Sequence, residues 1–95
     1  MASNFRIISY DFYDSLFLRL TGDFDGDSAN ELINTLKEHI EGFSKIFIDT
    51  NELNTVYSFE KDKFIKNLVG IKKQAKNLIF IGANKNKITP NWDND

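Results

Sequence analysis

Few residues in this chain could do chemistry. Three carboxylates fall within five positions, Asp23, Asp25 and Asp27, inside the run Gly22-Asp23-Phe24-Asp25-Gly26-Asp27. One histidine, His39, and a hydroxyl-bearing segment ending at Ser58 complete the set, and there is no cysteine. A hard cation such as calcium takes clustered carboxylates, but this run lacks the closing bidentate Glu and the flanking helices of an EF-hand loop. Acids at the start of a helix are already explained by the helix dipole, so no metal site is assigned. His39 lies on the flank of an apolar helical stripe, and no HExxH, GxSxG, GxGxxG or GxxxxGK[ST] motif accompanies it. The missing cysteines remove disulfides, thiolate metal sites and thiol nucleophiles together. These residues imply no catalysis and no cofactor.

The elements that must position them read clearly from periodicity. Strand candidates open the chain at Asn4 to Tyr10 and Leu16 to Thr21, where Leu16, Leu18 and Leu20 alternate with Phe17 and Arg19. The short link between them suits an antiparallel hairpin. Ala29, Leu32, Ile33, Leu36 and Ile40 then follow a helical stripe, so a helix runs from about Asp27 to Glu41. Asp25, Asp27 or Ser28 can cap its start, and Gly42 marks its end. Lys45 to Asp49 and Asn77 to Gly82 are short apolar runs of the buried parallel-strand kind. Between them, Thr50 to Ser58 reads as turn-rich, and Phe64, Leu68, Ile71 and Ala75 form the stripe of a second helix.

The expected fold is therefore a small α/β mixed sheet of order β-β-α-β-α-β. The first strand is antiparallel at an edge, and the others are parallel neighbours joined by right-handed helical crossovers that leave both helices on one face. The opposite face then presents Phe17, Arg19, Phe47 and Ile79 with no helix to cover them. Residues 1–89 make a single domain and 90–95 a polar tail that reads as a frayed terminus.

Composition narrows the class of protein. The 95 residues are 41% hydrophobic and 27% charged, ordinary for a folded globular domain. Nine Phe, three Tyr and one Trp supply a core despite the small size. No apolar run is long enough to span a bilayer and no secretory leader opens the sequence, so a cytoplasmic protein is expected. A net charge of −2 does not favour nucleic acid or an anionic membrane. The charges are segregated: four basic residues face ten acids in residues 1–59, whereas eight lysines accompany only Glu60 and Asp62 in residues 60–89.

The stretch from Leu16 to Leu32 carries a family resemblance. Leu16-Phe17-Leu18-Arg19-Leu20-Thr21-Gly22-Asp23-Phe24-Asp25, followed by Ser28-Ala29-Asn30-Glu31-Leu32, is similar to the signature of the STAS domain, found in bacterial anti-sigma-factor antagonists and sulfate transporters. Asp49, the loop after it, the Lys-rich helix and Leu78-Ile79-Phe80-Ile81-Gly82 extend the resemblance to Gly82. In phosphorylatable antagonists the loop before the second helix resembles Asp-Ser-Ser-Gly, and its second hydroxyl residue takes phosphate from a partner kinase. Counted from Asp49 without gaps, those positions hold Tyr57, Ser58, Phe59 and Glu60. Phe59 cannot be phosphorylated. A one-residue shift would make Ser58 the acceptor, yet Ser58 also reads as the N-cap of the second helix. STAS domains commonly carry a further helix after the position of Gly82, where this chain has thirteen residues, so either the tail folds back or a partner fills the gap.

The resemblance implies a non-catalytic regulatory module that binds an anti-sigma factor or a regulatory kinase, unphosphorylated at the usual family position. The implied contact residues are Tyr57, Ser58, Phe59 and Asp25, with Val56 and Phe59 alternatively plugging the core. Two other readings stay open. One is a small-ligand or nucleotide-binding domain with Asp23, Asp25, Thr50 and Ser58 at the carboxyl ends of the strands, although that rim offers phosphate no glycine-rich cradle between Thr50 and Ser58. The other is a degenerate STAS copy retained as a structural or dimerising unit, with a homodimer as its partner form.

Overall fold

The computed structural model describes residues 4–74, 77–90 and 92. Its elements are β1 (Arg6–Phe12), β2 (Ser15–Phe24), α1 (Gly26–His39), β3 (Lys45–Asp49), β4 (Leu53–Val56), α2 (Lys61–Lys72), β5 (Asn77–Ile81) and α3 (Lys85–Ile88). The main sheet has the order β1-β2-β3-β5, with β1 antiparallel to β2 and the β2/β3 and β3/β5 pairs parallel. This is the expected arrangement of the four strands read from the sequence.

Alternation decides which face is covered. Leu16, Leu18 and Leu20 of β2, Ile46 and Ile48 of β3, and Leu78 and Phe80 of β5 point to the helical side and are buried. There they meet Leu32, Ile33 and Leu36 of α1 and Phe64, Leu68 and Ile71 of α2 in one cluster. The i, i+3, i+4 spacing of each helix places these residues on one stripe, as an amphipathic helix requires. Ala75, the last member of the α2 stripe, lies outside the described residues.

Three features depart from the sequence reading. First, β2 does not stop at Thr21. Gly22 adopts φ +82°, and a Cβ there would run into the backbone carbonyl group of Asn4, with the carbonyl carbon only 2.8 Å away. Glycine thus lets the strand pass Asn4 through an irregularity and continue to Phe24. Second, that continuation lends an edge to β4, an element the sequence reading took for turn: Gly22 pairs with Leu53 and Phe24 with Val56, in parallel. β2 therefore changes partner along its length, from β3 at Ser15–Arg19 to β4 from Gly22 onward. Third, the tail expected to fray from Pro90 instead takes the fold-back that the short chain after β5 left open. The single turn of α3 buries Ile88, and Trp92 lies edge-on to Phe80 at 5.5 Å while its Nε1 donates to the Leu78 carbonyl at 3.3 Å. Lys72 Nζ sits 5.1 Å from the Trp92 ring centroid, joining α2 to the same indole. The expected fraying does not extend to Trp92.

Candidate protein-docking surface

Two regions could meet a partner: the rim formed by the N-terminus of α1 and the segment entering α2, and the uncovered face of the sheet.

At the rim, Asp25 is the N-cap of α1. Its Oδ1 accepts from the Ser28 backbone N–H at 3.0 Å, and Ser28 Oγ accepts from the Asp25 N–H at 3.2 Å, a reciprocal capping box. Of the three capping residues the sequence allows, Asp25 takes the cap and buried Ser28 completes it, whereas Asp27 remains exposed in the first turn. Gly42 ends the helix only loosely, donating to the His39 carbonyl at 3.1 Å.

The segment entering α2 differs from the sequence reading. The N-cap of α2 is Glu60, without a side-chain cap, so Ser58 does not cap this helix. Residues 57–60 stay out of the helix for two reasons. The Tyr57 N–H donates to the Phe24 carbonyl at 2.8 Å, which carries the β4 pairing one residue further. Phe59 then packs edge-on against Phe24 at 5.3 Å and Phe64 at 5.6 Å, in a chain of rings that continues to Phe5. A helix begun at Phe59 would draw this ring out of its slot. Phe59 and Val56 are half-buried against the core and act as plugs, whereas Tyr57 is 52% exposed and Ser58 is exposed beside it.

A shallow cleft of about 210 Å³ lies between the two helix starts, lined among others by Asp27, Asn30, Phe59, Glu60 and Lys63. Of the four contact residues expected from sequence, only Phe59 lines it. Asp25 is turned into its capping box, and Tyr57 and Ser58 lie outside.

Behind this rim is a polar knot whose cooperative role the sequence reading missed. Asp49 Oδ1 accepts from the Asn51 N–H at 2.9 Å, and Asn51 Oδ1 accepts from the Ala83 N–H at 2.8 Å. Buried Thr50 donates its hydroxyl to the Ile81 carbonyl at 2.9 Å, and Asn84 Nδ2 donates to the carbonyls of Thr50 and Leu53 at 2.9 and 3.3 Å. Gly82, at φ +108°, permits this closeness, since a Cβ there would fall 2.6 Å from Thr50 Oγ1. The Asp-x-Asn spacing was a readable signal for the first turn of the knot; the contribution of Asn84 depends on the fold. Of the residues a ligand pocket would use, Thr50 is committed to this knot and Asp25 to the capping box of α1. Among the described residues no cluster of three His, Asp or Glu could hold a metal ion.

The uncovered face is built from the residues that alternate with the core. Register places Tyr10, Phe17, Phe47 and Ile79 in one row across β1, β2, β3 and β5, and Ile8, Arg19, Asp49 and Ile81 in the next. Phe17 and Phe47 stack at 4.6 Å with 15° between their planes, and Arg19 lies 5.3 Å from the Tyr10 ring centroid and 4.0 Å from Asp49 Oδ2. At the hairpin tip beside this face, Phe12 is 62% and Tyr13 89% exposed. Tyr13 holds φ +56°, an uncommon conformation for a bulky residue.

Solved structures share this architecture. An anti-sigma factor antagonist from Mycobacterium paratuberculosis matches over 92% of this chain and 77% of its own, with TM-score 0.66 and 11% identity. The antisigma-factor antagonist STAS domain from Rhodobacter sphaeroides matches over 87% of this chain and 91% of its own, with TM-score 0.67 and 13% identity. The fold is that of the STAS domain. A third structure, of Mglu, matches at TM-score 0.68 and 10% identity over 80% of this chain, which spans about a fifth (19%) of the Mglu chain. No protein-family model matches the sequence, and no curated protein matches it by sequence. Within the STAS-like fold, the parallel strands and the two crossover helices are the parts the sequence resemblance anticipates, and the first strand is the part read from alternation alone. Among the described residues no helix is long and apolar enough to cross a membrane.

Proposed function

We propose that this domain is a non-catalytic regulatory module that docks onto another protein through the segment entering α2. The observation that carries the reading is the division of labour in that segment: Val56 and Phe59 are spent on the core, while Tyr57, a large aromatic between them, is left half exposed. Exposed aromatics held on a rigid base are the usual anchors of protein interfaces. Ser58 lies beside the anchor, Phe59 pins the segment to the core through Phe24 and Phe64, and Asp25 caps the neighbouring helix start. The likeness of fold to anti-sigma-factor antagonists supports an anti-sigma factor or a regulatory kinase as the partner, and transcription regulation in the cytoplasm as the setting.

In this reading the module is not switched by phosphate at the family's usual position, because Phe59 stands there with its ring packed against the core. Tyr57→Ala should abolish binding to a candidate anti-sigma factor with its melting temperature nearly unchanged, whereas Phe59→Ala should lose stability first. Incubation with a cognate kinase and ATP should leave the protein unmodified. Undiminished binding by the Tyr57 variant, or stoichiometric phosphate on Ser58, would overturn the reading.

A further inference from the structure

We infer that the uncovered face of the sheet is a self-association surface, on which a second copy of this chain packs face to face about a two-fold axis running between β2 and β3.

The argument begins with what the face leaves unsatisfied. Each of the four main strands contributes apolar area to it, with Tyr10 45% and Ile8 40% exposed and Phe17 and Phe47 only half-buried. No element of the described chain lies over this face. At its corner the hairpin holds Tyr13 at positive φ, its ring edge-on to Phe12 at 4.6 Å and still 89% exposed, which adds a second exposed ring to the apolar surface. Contiguous apolar surface of this kind on a small domain marks an interaction site.

The charges identify the occupant. In an isologous dimer, a two-fold in the interface plane and parallel to the strands exchanges β2 with β3 and β1 with β5. Applied to the observed register, it lays Phe17 on the partner's Phe47, Tyr10 on the partner's Ile79 and Ile8 on the partner's Ile81. It also lays Arg19 on the partner's Asp49, twice over, and sets Lys45 over the partner's Ser15 and not over a like charge. Within one copy the Arg19–Asp49 contact is long, 4.0 Å, with 43% of the Arg19 side chain exposed, so the guanidinium retains donors for a second carboxylate. A face that pairs apolar with apolar and cation with anion under its own two-fold is complementary to itself. Ordinary sheet twist turns the two layers by roughly 30°, as in an aligned sandwich, and preserves the pairing at the centre.

Size sets the strength. At usual spacings the face measures roughly 19 Å across the strands and roughly 14 Å along them. That falls short of the about 800 Å² per partner typical of a stable interface. The dimer is therefore weak and concentration-dependent, and since its face is separate from the Tyr57 rim, it stands or falls independently of the docking role proposed for that segment.

Sedimentation velocity over roughly micromolar to millimolar concentrations tests it. The chain should shift reversibly from monomer to dimer and stop there, while persistence as a monomer throughout would overturn the proposal. Arg19→Glu and Asp49→Lys, taken singly, each place like charges across the axis and should weaken association by at least about tenfold. Mixed in equal amounts, the two variants should form a heterodimer, since each reversed residue then meets its opposite across the axis. Circular dichroism identifies any variant that fails to fold. Tyr10→Glu, at the exposed rim, then replaces it and should likewise give a monomer. A dimer indifferent to these changes, or a mixture that stays monomeric, would overturn the assigned geometry. Indifference would instead indicate pairing along the exposed edge of β1.

Discussion

The two faces of the sheet are made by the same strands and behave as different materials. Along β2, Leu16, Leu18 and Leu20 are sealed under α1 and α2, while Phe17 and Arg19, one residue away, remain half in water. Period-two alternation alone separates them. The difference shows that large apolar residues here serve two ends. Those under the helices hold the fold together, and those on the open side cost it little to lose.

Neighbouring substitutions can break that comparison. Leu18→Ala, on the sealed side, should cost on the order of 2 to 5 kcal/mol by chemical denaturation, with Leu36→Ala and Leu68→Ala in the same range. Phe17→Ala, on the open side, should cost only about 1 kcal/mol at concentrations where the chain is monomeric, because it loses one stacked ring and little buried area. Equal losses at positions 17 and 18 would mean that the open face is structural after all. The smallest change carries the opposite sign. Tyr13→Gly should stabilise the monomer by about 1 kcal/mol or less, as relief of the positive φ outweighs the added freedom of the unfolded chain. A decrease in melting temperature there would show that the Tyr13 ring earns its place within the monomer.

These contrasts also explain what was legible in the sequence. The alternation in β2 and the stripe through Leu32 and Leu36 are local patterns, and they correctly gave the covered face, the strand order and the open row through Phe17 and Phe47. β4 was illegible because Leu53–Val56 has no strong pattern of its own and is extended only where β2, bent at Gly22, offers it an edge. Ser58 had the chemistry of an N-cap, but the Phe24–Phe59–Phe64 ring contacts hold the chain extended past it, a tertiary preference stronger than one cap. α3 is a single turn, too short for periodicity to reveal. The cap at Asp25 was visible as one of three candidates, and only its bond with Ser28 distinguishes it.

The polar knot has a consequence for the entropy of association. Asn84 clasps the carbonyls of Thr50 and Leu53 at one end of the segment that carries Tyr57, and Phe59 pins the other end in its aromatic slot. A recognition loop free in solution surrenders backbone freedom when it binds, at roughly 1 to 2 kcal/mol for each residue fixed. Here the backbone has surrendered that freedom during folding, and a partner arriving at Tyr57 has little more to immobilise than one two-torsion side chain. Binding at this rim would then be rapid and close to rigid-body, with its strength governed by how well the incoming surface fits the ring and hardly by the cost of ordering it.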